Sequence, residues 1–137
     1  MDFEVEYLIR FQHCDPAGIV FYPHYYEMFN QLVEDWFAEG LHLPFMELAR
    51  REEGVPLAHA TCDFITTSKI GDRLVFSLRV RRLGTKSITL NITARLREEV
   101  RLRAELVLVY VCTRDPMHGI PIPADLRRKM EAFIEPV

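Results

Sequence analysis

Long apolar runs are missing from this chain. The longest, Leu106 to Cys112, falls far short of the ~20 residues that a membrane-crossing helix needs, so no membrane partner is expected. Cysteine is scarce as well. Cys14, Cys62 and Cys112 are odd in number, widely spaced and without a C-x-x-C pair. That argues against a disulfide framework and for a reducing compartment, with the cytoplasm as the expected location. The first residues, Met1-Asp2-Phe3-Glu4, are acidic and precede no apolar stretch, so no signal peptide is expected. The five histidines (His13, His24, His42, His59 and His118) show no H-x-x-x-H or H-E-x-x-H spacing, and no metal site is expected from them. There is no G-x-S-x-G, which leaves a serine hydrolase without support. Repeats, low-complexity tracts and Gly/Ser linkers are also absent. The 137 residues therefore predict one domain, 1–137, burying roughly two-thirds of its unfolded surface.

What is present is strong periodicity. Phe3, Val5, Tyr7, Ile9 and Phe11 alternate with Glu4, Glu6, Leu8 and Arg10, which predicts a strand with one buried face. After a turn-rich stretch from Gln12 to Tyr22 the period changes. Tyr25, Phe29, Leu32, Val33, Trp36 and Phe37 recur every three or four residues, predicting a long amphipathic helix that starts at Pro23 and stops at Gly40. A short helix is predicted from Pro44 to Glu53, ended by Gly54. Strands follow at Leu57–Thr66, around Leu74–Val80, around Ile88–Leu96, and at Leu102–Cys112, the last expected to be buried on much of both faces. A closing helix is predicted over Pro123–Ile134. Strands joined by short turns make an antiparallel sheet, so the class is α+β, with five strands against one long apolar helix. The sheet's other face carries mixed apolar and basic residues, which favours an oligomer joined through that face or a sheet edge.

Charge is unevenly spread. Between Lys69 and Arg103 ten Lys/Arg stand against three acids, while the whole chain carries −3. A basic segment within an acidic protein fits a partner bearing phosphate, or simply a solvated sheet face.

The segment that carries chemistry is Cys14-Asp15-Pro16-Ala17-Gly18-Ile19-Val20-Phe21-Tyr22-Pro23. Asp, Pro and Gly in this order are ordinary turn chemistry. The second reading is a carboxylate just ahead of a helix start. Pro23 has no N–H, so donors there come from Tyr22, His24 and Tyr25. Such amides, at the positive end of a helix dipole, can polarise a carbonyl for a carboxylate or water to attack.

This stretch resembles the active-site signature of the 4-hydroxybenzoyl-CoA thioesterase family of hotdog proteins. The likeness extends to Gly71-Asp72, to Lys86-Ser87 and to the order of elements over nearly the whole chain. The resemblance implies a hotdog fold, a five-stranded antiparallel sheet wrapped around a long central helix, and hydrolysis of an acyl-CoA to free acid and CoA. It implies Asp15 as nucleophile or general base and the Tyr22 backbone amide as oxyanion donor. Gly18, His24, Tyr25 and Asn30 would contact substrate; Arg82, Thr85, Lys86 and Ser87 would lie near the CoA phosphates. CoA is then part of the substrate and no cofactor is expected. Subunits would pair as a homodimer or homotetramer. In one departure, His24 stands where many relatives carry Asn.

Three other readings compete. A hotdog hydratase or dehydratase would need a carboxylate matched with a histidine, such as Asp15 with His24. An acyl-carrier-protein thioester is a substrate variant. A non-enzymatic module would bind acyl-CoA or, through the basic strands, RNA; against RNA, that segment offers few aromatics for stacking, and no nucleic-acid partner is expected.

Overall fold

The fold is that of a computed structural model, which describes residues 1–136. Strand β1 (Phe3–Leu8) leads through a single 3₁₀ turn (Phe11–His13) and the Asp15 loop into helix α1 (Pro23–Asp35), whose last turn widens to a π-helical one (Trp36–Gly40). A short helix α2 (Phe45–Arg50) and a two-residue strand β2 (Glu53–Gly54) follow. The long strands are β3 (Leu57–Phe64), β4 (Arg73–Leu83), β5 (Ser87–Leu96) and β6 (Glu99–Val109). The chain ends with β7 (Val111–Cys112), β8 (His118–Gly119) and helix α3 (Ala124–Glu131).

The main sheet is antiparallel throughout, with strand order β1-β4-β5-β6-β3. β3 and β4 are therefore not neighbours although they are consecutive in sequence. A second, three-stranded sheet joins β2, β7 and β8. On one face of the main sheet Leu74, Phe76, Leu78, Val80, Ile88, Leu90, Ile92 and Ala94 are all buried, and the α1 residues Tyr25, Met28, Phe29, Leu32 and Val33 complete the same core. Alternation in the strands and the three-to-four spacing in the helix point at one another, and burying these side chains is the main force holding the fold. Among the described residues no helix is long and apolar enough to cross a membrane.

Several boundaries differ from the periodicity. β1 stops at Leu8, and Phe11 is 82% exposed rather than on the buried face. The ladder partner ends there: Ile9 N–H donates to Asp72 O, Gly71 N–H donates to Ile9 O, and Gly71 (φ +91°) turns the neighbouring chain away. Gly40 does not stop α1 by a left-handed conformation, since among the described residues the left-handed glycines are Gly18 and Gly71. A Cβ on Gly40 would sit 2.8 Å from Trp36 Cδ1 and 3.2 Å from Phe133 Cζ. Glycine is there for close packing. α2 ends at Arg50, Glu52 takes the left-handed turn (φ 56°), and Gly54 pairs with Val111 instead of ending a helix. The expected strand to Cys112 breaks at Tyr110, whose N–H donates to Lys86 O. β6 buries one face, with Leu102, Ala104, Leu106 and Leu108 inside, while Val107 and Val109 are only half-buried.

The outer sheet face is a mixed-charge lattice. Arg79 pairs with Asp2, Arg81 with Glu105, and Arg95 with Glu4. Three of the segment's ten basic residues are thus paired with carboxylates from elsewhere in the chain. Arg82 and Lys86 have no carboxylate within ion-pair distance among the described residues.

Candidate active site

The loop between β1 and α1 is knotted by its own backbone. Asp15 N–H donates to Ile19 O at 3.0 Å, and Gly18 N–H returns to Asp15 O at 2.8 Å. Gly18 (φ +82°) makes this reversal possible, and a side chain there would be strained even though the space around it is open. Ala17 N–H donates to Asp15 Oδ1 at 2.9 Å, so one carboxylate oxygen is held and Oδ2 is left for chemistry. The loop is pinned from the other side, where Val20 N–H donates to Ser68 O and Ile19 pairs with Lys69.

α1 then begins. Phe21 N–H donates to His13 O, His24 N–H to Phe21 O and Tyr25 N–H to Tyr22 O. Pro23 has no N–H. Of the donors expected at this helix start, the Tyr22 amide alone makes no hydrogen bond among the described residues. An unpaired N–H at a helix N-terminus is the donor that a developing oxyanion requires.

Asp15 and Tyr22 line one cleft of about 400 Å³, together with Ile19, Phe21, Tyr25, Phe64, Ile65, Thr66 and Ser68. Its walls are aromatic: Tyr22 meets Phe64 edge-on at 6.4 Å and Tyr25 lies 5.8 Å from the same ring. The Tyr25 hydroxyl is buried and unpaired among the described residues. Burial raises its pKa, while Ser68, close by but outside hydrogen-bonding geometry, and the Arg101 charge pull the other way. A larger hollow of about 560 Å³ crosses the outer sheet face, but two of its arginines, Arg79 and Arg95, are paired with its carboxylates Asp2 and Glu4, and no free helix-terminal amide lines it. The smaller cleft, with its carboxylate and free amide, is the candidate site.

The other predicted residues are dispersed. His24 does not line the cleft: its ring packs behind Phe21 and its Nδ1 meets Glu27 at 2.6 Å. His13 Nδ1 accepts from Arg10 N–H at 2.8 Å, and burial lowers its pKa, with the nearby His24 and Arg10 adding to the effect. Asn30 is exposed and borders a separate cavity of about 140 Å³ lined by Tyr26, Phe29, Phe45 and Leu57. Arg82, Thr85, Lys86 and Ser87 lie around the β4–β5 turn. β4 has eleven residues and starts beside the Asp15 loop, so these groups stand roughly 30 Å from it within one chain. No cluster of three or more His, Cys, Asp or Glu suited to a metal occurs among the described residues. Sequence reasoning missed Phe64, Thr66, Ser68 and Arg101, which reach the site from the far end of β3 and the start of β6; no local periodicity marks them.

A carboxylate and a free helix-terminal amide sharing an apolar cleft suit acyl transfer. Residues 9–130 match the model of the thioesterase-like superfamily. The chain belongs to that superfamily. A 1,4-dihydroxy-2-naphthoyl-CoA hydrolase of Nostoc punctiforme is 27% identical over 134 residues, which cover 96% of this chain and 81% of the relative. Among solved structures, a gentisyl-coenzyme A thioesterase is 27% identical with TM-score 0.84, covering 90% of this chain and 98% of its own. A 4-hydroxybenzoyl-CoA thioesterase variant complexed with 4-hydroxybenzoyl-CoA shares the fold at TM-score 0.83 and 22% identity, over 94% of this chain and 98% of its own. The α+β hotdog architecture read from the sequence is thus the architecture of this thioesterase-superfamily chain.

Proposed function

We propose that this chain hydrolyses the thioester of an aromatic acyl-CoA, with Asp15 as the catalytic carboxylate and the Tyr22 amide as oxyanion donor. The observation that carries the reading is the pairing of a half-free carboxylate with an unpaired helix-terminal N–H in one aromatic-walled cleft. Asp15 Oδ2 attacks the carbonyl carbon, or takes a proton from a water that attacks it. The carbonyl electrons move onto oxygen against the Tyr22 N–H, then return to expel CoA thiolate. In the first route water cleaves the resulting anhydride. Both routes end in free acid and CoA. A hydratase fits less well, because no histidine lines the cleft: His24 is turned to Glu27 and His13 Nδ1 is engaged by Arg10.

Two relatives support a narrower reading of the acyl group. Gentisyl and 1,4-dihydroxy-2-naphthoyl share one pattern: a ring hydroxyl ortho to the carbonyl-bearing carbon and a second hydroxyl para to the first. A hydroquinone-type aryl-CoA is therefore the proposed substrate class, and CoA is a substrate portion rather than a cofactor.

A homodimer accounts for the dispersed residues. β3 is an edge strand with Leu57 51% and Phe64 48% exposed, whereas the other edge, β1, carries Glu4 and Glu6. Charged edges resist pairing and apolar ones invite it. Two β3 edges paired antiparallel about a two-fold axis set the Phe64 end of one copy beside the Leu57 end of the other. The Phe64 end borders the Asp15 cleft. The Leu57 end lies beside Leu108, one step from the Ser87–Val109 pair and hence from Lys86. One copy's Asp15 then faces the other's Lys86 turn and the cavity beside Asn30, and a homotetramer would be two such dimers.

The test is thiol release from a panel of aryl- and alkyl-CoAs by wild type and Asp15→Asn. Asn keeps the bond from Ala17 N–H but not the reactive charge, so a folded variant with kcat lower by about 10²–10⁴-fold is expected. Wild-type turnover in Asp15→Asn removes the mechanism.

A further inference from the structure

The far wall of the cleft, residues 65–68, and the adjoining Lys69 are tied to one residue, Arg101, and its carboxylate partner Asp72. Arg101 accepts through its backbone oxygen from Ile65 N–H (2.9 Å) and Thr66 N–H (3.2 Å). Its guanidinium Nη1 reaches Thr67 O at 2.8 Å, Ser68 Oγ at 3.1 Å and Asp72 Oδ2 at 3.1 Å. The same Asp72 Oδ2 accepts from Lys69 N–H at 3.0 Å. Five consecutive residues are therefore gripped through Arg101 or its carboxylate partner.

The grip continues to the reacting groups. Ser68 O holds Val20 N–H and Lys69 pairs with Ile19, whose carbonyl holds Asp15 N–H. Two links separate the guanidinium from the loop that presents Asp15 and Tyr22. The Arg101 and Asp72 side chains are only 11% and 12% exposed, and Glu99 Oε1 approaches Arg101 Nε at 2.7 Å but off the hydrogen-bonding direction. A buried ion pair is a poor stabiliser, because desolvation offsets most of its attraction. What it supplies here is geometry.

We propose that Arg101 is a positioning residue of the hydrolytic site, holding residues 65–69 and through them Ile19–Val20 so that Asp15 and the Tyr22 amide keep their mutual placement. The inference rests on the hydrolytic reading above. Misplacing a catalytic group by about 1 Å costs on the order of 10²-fold in rate, without a matching loss of binding.

The experiment compares wild type with Arg101→Lys, which keeps the charge on a shorter stem that ends short of the Nη1 position, and with Ser68→Ala, which removes one contact and disturbs folding least. Steady-state hydrolysis is read together with amide hydrogen exchange. Arg101→Lys is expected to lower kcat by about 10–100-fold with KM within about threefold, and Ser68→Ala to lower it by less. Exchange at Asp15, Ala17, Gly18 and Val20 should quicken about tenfold or more, while the interior amides of β5 keep their wild-type rates. Unchanged exchange at those four amides overturns the proposal. So does loosening that is equal in β5, which would make Arg101 a general structural element. If wild type hydrolyses no thioester, the hydrolytic reading fails by itself, and the exchange pattern still decides whether Arg101 positions the loop.

Discussion

Mixing two crippled proteins should restore activity. Asp15 and Lys86 lie at opposite ends of β4, roughly 30 Å apart within one chain, too far for one bound CoA to touch both. Under the proposed two-fold pairing through β3, every site takes Asp15 from one copy and Lys86 from the other. Asp15→Asn then abolishes turnover, while Lys86→Ala removes a phosphate contact remote from the reaction and raises KM about tenfold. Random exchange of subunits from equal amounts gives about half heterodimers. Each heterodimer has one site with both substitutions and one with neither, so about a quarter of all sites become wild-type. At substrate well below KM the mixture should show about 27% of wild-type activity. If the residues act within one chain, or not together at all, the mixture shows only the average of its components, about 5%. The assay is thiol release after brief exposure to mild denaturant and dilution, with each variant alone as control. Activity that stays at the average would refute the shared site, and with it the assignment of Lys86 to CoA.

Further perturbations test the packing and the titrating groups. Gly40→Ala places a methyl 2.8 Å from the Cδ1 of fully buried Trp36. Overpacking of about 1–3 kcal/mol should outweigh the helix-propensity gain of up to ~1 kcal/mol, lowering Tm by about 3–7 °C in a thermal melt; an unchanged or higher Tm would show that the pocket yields. Tyr25→Phe deletes a buried hydroxyl without a partner and should stabilise the fold by ~1 kcal/mol. A marked loss in denaturant unfolding would mean that the hydroxyl is satisfied after all. His13 has a folded pKa below its ordinary 6.5 because of burial, so the stability it contributes is complete above pH 6.5 and is lost as pH falls through the folded value. Protonating Nδ1 would also set it against the Arg10 N–H that it now accepts from. Tm should therefore drop between pH 7 and 5, and less in His13→Asn; equal slopes would clear His13 of the effect. Glu4 behaves alike at lower pH. Its pKa is held down chiefly by the Ser77 hydroxyl and then Arg95, so its contribution is present above the ordinary carboxylate value of 4.5 and fades as acid passes below the folded one.

The sequence alone determined the elements that depend on near neighbours. Period-two alternation marked the interior faces of β4 and β5, the three-to-four spacing marked the buried face of α1, and Asp15, Gly18 and Tyr22–Pro23 marked a turn feeding a helix start. These patterns are local consequences of strand and helix geometry, so they can be read in order along the chain. Local pattern also misled where a distant partner decides the outcome. Phe11 continues the alternation, but its ladder partner has already turned away at Gly71. Gly40 looks like a helix stop, but it is a glycine because Trp36 and Phe133 close over it. Only the tertiary structure set β3 at the sheet edge beside β6, brought Phe64, Ser68 and Arg101 to the Asp15 cleft, and parted that cleft from Lys86 by the length of a strand. Strand order and the meeting of remote loops are settled by which faces can be buried together over the whole chain, and no window of neighbouring residues contains that sum.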